Sequence, residues 1–138
     1  MQKIVIDTNI IVSALIGSGY PTQIIFDLVL GKKIIVCSSF EVFAEYIEVL
    51  RRERFAKYPQ FLTKAEIVLN KIDELSLKFI PTIKLQVIDD KSDNKFLELG
   101  ITANADFLIT GNTHHFKMKE YQNIKIVTPE EYINQYFK

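Results

Sequence analysis

No apolar run in this chain is long enough to cross a bilayer. The longest, residues 10–16, is broken by Ser13 and falls far short of the roughly twenty residues that a spanning helix needs. Cysteine is nearly absent too. Cys37 alone cannot close an internal disulfide, and its strand-like setting reads as a buried thiol in a reducing compartment. Met1-Gln2-Lys3 leads into a strand without a signal-peptide pattern, so the expected location is cytoplasmic. Neither sign of charge dominates, since 17 Lys plus Arg balance 17 Asp plus Glu. A generic nucleic-acid coat protein would carry a large basic excess. An enzyme acting on nucleic acid is not excluded, because a carboxylate-rich metal site cancels nearby lysines in the sum. The chain also lacks repeats, a Ser-His-Asp set, a reactive-cysteine motif and a Gly-rich phosphate loop.

What is present fits one domain over residues 1–138. Hydrophobic residues make up 48% and charged residues 25%, enough for a core and too apolar for disorder. Strand and helix patterns alternate. Strands are expected at residues 3–7, 34–37, 106–110 and 124–127. Helical patterns occupy residues 10–16 and 21–30, split at Gly17-Ser18-Gly19 and closed by Gly31. A third helix, residues 40–50, places Phe40, Phe43, Ala44, Ile47 and Leu50 on one stripe. A fourth, residues 63–77, opens with Thr63 and Glu66 spaced as a capping box. Residues 93–102 form another, and Thr128-Pro129-Glu130-Glu131 opens a terminal helix with a cap, a first-position proline and a glutamate at the third. Residues 79–89 are weakly patterned around Pro81, with a short strand near residues 84–87 as one reading. The alternation predicts an α/β fold: three α/β/α layers around a mainly parallel sheet.

Polar residues stand where apolar strands end. Lys3-Ile4-Val5-Ile6 stops at Asp7-Thr8-Asn9, residues 34–37 run into Ser38-Ser39, and residues 107–109 run into Thr110-Gly111-Asn112. Open α/β folds build their sites at this carboxyl edge. Several polar groups converging there suit a hard cation and a phosphate. Taken alone, Asp7 is better explained as a helix N-cap. Asp93 suits a first helical turn by the dipole alone. It also heads the stripe of Phe96, Leu97, Gly100 and Ile101, and a buried charge needs compensation. Glu41, Glu45 and Glu48 share one solvated flank, and phase does not choose among them. Asn112 also fits an ordinary turn, and Asp106 reads as a structural cap. His114 and His115, being adjacent, lack the spacing of a helical metal pair. Arg51, Arg52, Arg54 and Lys57 follow a helix C-terminus, where cations complement the dipole. Phe55, Tyr58 and Phe61 interleave with them, a mixture that suits single-stranded nucleic acid and equally suits a core.

Together these segments resemble the PIN domain, a family of small metal-dependent nucleases that includes many toxins of toxin–antitoxin pairs. The resemblance spans essentially the whole chain. It rests on Ile4-Val5-Ile6-Asp7-Thr8-Asn9, Ala44-Glu45-Tyr46-Ile47-Glu48-Val49-Leu50, Asp93-Asn94-Lys95-Phe96-Leu97 and Ala105-Asp106-Phe107-Leu108-Ile109-Thr110-Gly111-Asn112. The closing Ile126-Val127-Thr128-Pro129-Glu130-Glu131-Tyr132 is similar to the toxin subgroup. The resemblance implies that Asp7, Glu45 and Asp93 hold Mg²⁺ or Mn²⁺. The fourth position of the family falls on Asn112, a weaker ligand than the usual Asp, which puts a second metal ion in doubt. Asp90 would offset the lost charge, or belong simply to its loop. Thr8, Asn9 and Thr110 would orient the acids. Implied with these are endonucleolytic cleavage of single-stranded RNA to a 5′-phosphate and a 3′-hydroxyl, a small antitoxin partner and a homodimer. Oxygen ligands select such hard cations, which activate water and stabilise charge on a phosphodiester. The alternative is a PIN-like module of weak activity that binds RNA or a protein. A dehalogenase-like phosphatase needs Asp where Asn9 stands, and the paired acids of a receiver domain are missing.

Overall fold

The computed structural model describes residues 1–88, 91–111, 116 and 118–137. Its centre is a six-stranded sheet in the order β3-β2-β1-β4-β6-β5. The strands are β1 (Lys3–Ile6), β2 (Ile35–Ser39), β3 (Leu77–Phe79), β4 (Phe107–Ile109), β5 (Glu120–Tyr121) and β6 (Ile124–Val127). All neighbours pair in parallel except β5 with β6. Ile4, Val5, Ile6, Leu108 and Ile109 are at most 1% exposed, as expected for central strands covered on both faces.

The helices are α1 (Thr8–Ile16), α2 (Tyr20–Thr22), α3 (Phe40–Leu50), α4 (Phe61–Leu75), α5 (Asn94–Ala103) and α6 (Pro129–Glu131). The chain leaves β1 toward β2 and β3, then crosses back to β4 through α5. Right-handed crossovers in opposite directions put α5 on the face opposite α1, α3 and α4. Three layers result. The strand order therefore reverses between β1 and β4, and the crevice at their carboxyl ends is where such sheets form sites.

Several local expectations are met. The chain breaks between α1 and α2 at Gly17-Ser18-Gly19, and α2 continues as a π-helical segment, Gln23–Val29. Gly31 follows in a close approach, since a Cβ there would come within 2.1 Å of the Asp27 carbonyl oxygen. The capping box at Thr128 forms with Glu131, in hydrogen bonds of 3.1 and 2.9 Å. Asp106 accepts the Lys3 backbone N–H at 2.9 Å, tying down the start of β1. Cys37 is buried.

Others need correction. No strand forms at residues 84–87. The third strand of that half is β3, on residues assigned to the end of a helix and the segment after it. Helix α4 begins at Phe61, after Gln60 in a left-handed conformation, so Thr63 and Glu66 make no cap box. On α3 the buried residues are Val42, Tyr46, Val49 and Leu50. Phe40 is 88% exposed, and Phe43, Ala44 and Ile47 line an apolar groove of about 540 Å³ with Phe79 and Ile80. The helix packs on the other of two overlapping apolar stripes. Tyr46 decides it, because its hydroxyl donates to the Ile6 carbonyl at 2.5 Å in the buried layer.

Candidate active site

Three carboxylates from three separate elements face the crevice at the strand-order reversal. Asp7 follows β1 and is the N-cap residue of α1, yet its side chain makes no capping bond. It is 3% exposed. Its backbone N–H continues the β1–β4 ladder to Ile109 at 3.0 Å, so the paired strands aim it beside Thr110. The Thr110 hydroxyl donates to the Asp7 carboxylate at 2.6 Å. Asp93 ends a 3₁₀ turn, Lys91–Asp93, that leads into α5, and it too is buried without capping its helix. Glu45 reaches in from α3. Its side chain is 20% exposed, against 57% for Glu41 and 62% for Glu48, so the packing of Tyr46 singles out one acid of the three.

Burial pushes Asp7 up from 3.8 to about 6. The Thr110 hydrogen bond opposes the rise, the Asp93 and Glu45 charges add to it, and the Asn9 backbone N–H opposes it again. Asn9 thus acts through its main chain, while its side chain is exposed. Beneath the acids, fully buried Tyr46 is held well above the ordinary tyrosine range by burial, then by Asp7 and Glu45. It remains a neutral donor at any physiological pH.

Both oxygens of Glu45 have partners. Thr8, buried at the start of α1, donates its hydroxyl to Oε2, and the Lys95 ammonium lies 2.7 Å from Oε1. Beside Lys95 opens a groove of about 520 Å³, lined by Glu41, Lys84, Gln86, Ile88, Asn94 and others. The segment over residues 80–88 that walls it is strapped to α5. Asn94 accepts the Val87 and Ile88 N–H groups at 3.1 and 2.9 Å and donates to the Ile88 carbonyl, and Glu98 accepts the Leu85 N–H at 2.9 Å.

The structure thus brings together Asp7, Glu45, Asp93, Thr8 and Thr110, with the Asn9 main chain. Asn112, Asp90, His114 and His115 lie outside the described residues. Arg51, Arg52, Arg54 and Lys57 are not brought to the crevice. Helix α3 starts at the carboxyl end of β2 and runs away from it, leaving Arg51 roughly 9 Å farther along the axis than Glu45. Arg52 pairs with Glu48 at 2.8 Å, and Phe55 and Phe61 stack inside the core, centroids 4.8 Å apart. The interleaved aromatics are mostly core. Sequence reasoning attached no role to Tyr46, Asn94 or Lys95. A cation in the first turn of a helix, against the dipole, was the available signal for Lys95.

Among the described residues no three His, Cys, Asp or Glu side chains form a ready-made ligand cluster. The donors nonetheless fit a hard divalent cation. They are carboxylate oxygens, buried or partly so, whose mutual repulsion a positive charge would relieve.

A PIN domain model matches residues 3–114. An uncharacterised protein of Methanocaldococcus jannaschii, MJ1680, is 28% identical across 99% of this chain and 92% of its own length. A chain in the crystal structure of VapBC2 from Rickettsia felis, bound to a DNA fragment from their promoter, superposes with a TM-score of 0.58. That match has 17% identity and covers 92% of this chain and 98% of the other, a likeness of fold.

Proposed function

The chain belongs to the PIN domain family, whose members are generally nucleases, and on that premise we propose that it is a divalent-metal-dependent endoribonuclease of single-stranded RNA. One observation carries the reading: Asp7 lies buried at the carboxyl end of β1, beside the strand-order reversal, near enough to Asp93 and Glu45 that their charges raise its pKa. Buried like charges drawn from three elements are costly to a fold and useful to a cation site.

In this reading Asp7 and Asp93 would hold Mg²⁺ or Mn²⁺, with Glu45 as a further oxygen donor. Asn112 enters through the resemblance as an outer orienting group. When bound there, such a cation would supply water activation and charge stabilisation at the phosphodiester. Thr110 fixes the rotamer of Asp7 and favours its ionised, ligating form. Thr8 fixes the rotamer of Glu45 through a hydrogen bond, and Tyr46 anchors α3 so that Glu45 reaches the crevice. Cleavage leaves a 5′-phosphate and a 3′-hydroxyl. Arg51, Arg52, Arg54 and Lys57, set back from the crevice, contact RNA only where the strand extends along α3.

The setting we propose is a cytoplasmic toxin with a small antitoxin, acting as a homodimer. The VapBC2 likeness supports a toxin-like fold. No single helix among the described residues is long and apolar enough to span a membrane.

The test is cleavage of a labelled single-stranded RNA with Mn²⁺ or Mg²⁺, comparing wild type with Asp7→Asn and Asp93→Asn. Metal-dependent cleavage lost in both variants supports the proposal. Cleavage that survives EDTA and Asp7→Asn places the chemistry elsewhere. A folded wild type that binds RNA without cutting it favours the binding-module reading.

A further inference from the structure

We propose that Lys95 is the resident cation of the acidic crevice, a positioning residue that holds Glu45 in the metal-free protein and must release it when a divalent ion binds. The inference rests on the crevice being the metal site proposed above. Three observations carry it.

The Lys95–Glu45 pair joins α5 to α3, elements on opposite faces of the sheet; Lys95 stands two residues from Asp93, and Glu45 bonds Thr8, the residue after Asp7. At 2.7 Å, with only 21% and 20% of the two side chains exposed, it is the most sheltered ion pair among the described residues. Screening by salt is correspondingly weak.

Lys95 also stands in the first turn of α5, where the helix dipole disfavours a cation. The local sequence gives no reason for it. The acids of the crevice do, because they need a positive charge.

The two oxygens of Glu45 are not equally replaceable. Thr8 is buried at a helix start, and its hydroxyl sits on a short β-branched side chain with little reach. Lys95 sits on a four-carbon stem that borders the groove of about 520 Å³. The ammonium is the partner able to leave, and it has somewhere to go.

An incoming ion therefore competes with Lys95 for Oε1 of Glu45. The lysine weakens metal binding and stabilises the crevice in its absence. A purely structural ion pair would affect stability alone.

Mn²⁺ binding by calorimetry, with thermal unfolding in EDTA, distinguishes these roles without recourse to activity. Lys95→Met should bind Mn²⁺ at least about tenfold more tightly than wild type, while its metal-free form melts lower. Lys95→Arg, which keeps the charge, should retain affinity near wild type. In a Glu45→Gln background, adding Lys95→Met should no longer tighten binding, because the competed ligand is gone. Equal or weaker binding by a folded Lys95→Met protein overturns the inference and leaves the metal site standing. Binding of no Mn²⁺ by wild type and Lys95→Met alike overturns both.

Discussion

Thr110 donates its hydroxyl to Asp7 at 2.6 Å although 103 residues separate them. The contact follows from sheet register. Ile6 pairs with Ile109, so the next residue on each strand emerges at the same level of the carboxyl edge. The apolar strands that build the core therefore also set the rotamer of a buried acid.

Replacing Thr110 by Val removes the donor that opposes the rise in the Asp7 pKa. The Asp7 carboxyl should then titrate higher still, above about 6. The acidic limb of any metal-dependent cleavage should move to higher pH, while Thr110→Ser restores the wild-type limb. A pH–rate profile checks this, with carboxyl carbon chemical shifts as a second readout. An unmoved acidic limb would show that Asp7 ionisation does not gate activity.

Asp7→Asn should stabilise the metal-free protein at neutral pH. The folded pKa of Asp7 lies near 6, above its ordinary value of 3.8. Below pH 3.8 the group is protonated in both states and costs nothing. As pH rises from there through 6, the unfolded chain loses its proton first, and folding stability falls. The full penalty, of order 2–3 kcal/mol, is present above pH 6. In EDTA, the stability advantage of Asp7→Asn over wild type should thus be near its maximum at pH 7.5 and vanish near pH 3.5. Urea unfolding at the two pH values measures it. An advantage independent of pH would refute the burial argument.

How far the sequence disclosed this arrangement depends on the range of the forces involved. Asp7, Asp93 and Thr110 were visible because a strand or helix pattern, a local property, ends at each. Glu45 was not separable from Glu41 and Glu48 by phase. Its exposure follows from Tyr46, which turns α3 onto a stripe one residue away from the one favoured by Phe40, Phe43 and Ile47. The deciding bond runs to the Ile6 carbonyl, 40 residues away. Strand β3 is three residues at a sheet edge, too short for an alternation to register. A short strand near residues 84–87 is one reading of a weakly patterned segment; its Leu85 and Val87 N–H groups instead find partners in Glu98 and Asn94, side chains of α5 that no local pattern reveals.

That strap yields its own prediction. Asn94 satisfies two backbone N–H groups and one carbonyl of residues 87 and 88, largely out of contact with water. Asn94→Leu keeps the volume and forfeits all three bonds. A loss of about 2–4 kcal/mol is expected, since buried donors left unpaired bear their desolvation penalty. The segment over residues 80–88 should open before the rest of the molecule. Limited proteolysis should cut there in the variant under conditions that leave wild type intact. Equal resistance would mean the strap is held by other contacts.

Tyr46→Phe isolates the bond that positions α3. The ring remains, so the core keeps its volume, but the Ile6 carbonyl loses the hydroxyl donor at 2.5 Å. The expected cost is about 1–2 kcal/mol. Tyr46→Ala, which also leaves a cavity, should cost about 3–5 kcal/mol. Because burial and the neighbouring acids hold the Tyr46 hydroxyl well above its ordinary pKa of 10, it stays protonated in the folded protein. The unfolded chain is also protonated below pH 9, so the difference between Tyr46→Phe and wild type should be flat from pH 6 to 9. Above pH 10 the unfolded wild type ionises first, and the advantage of the tyrosine shrinks. Denaturant unfolding across that range checks both halves. A Tyr46→Phe protein as stable as wild type at pH 7 would show that α3 is seated by its aliphatic contacts alone, and that Glu45 owes its place to them.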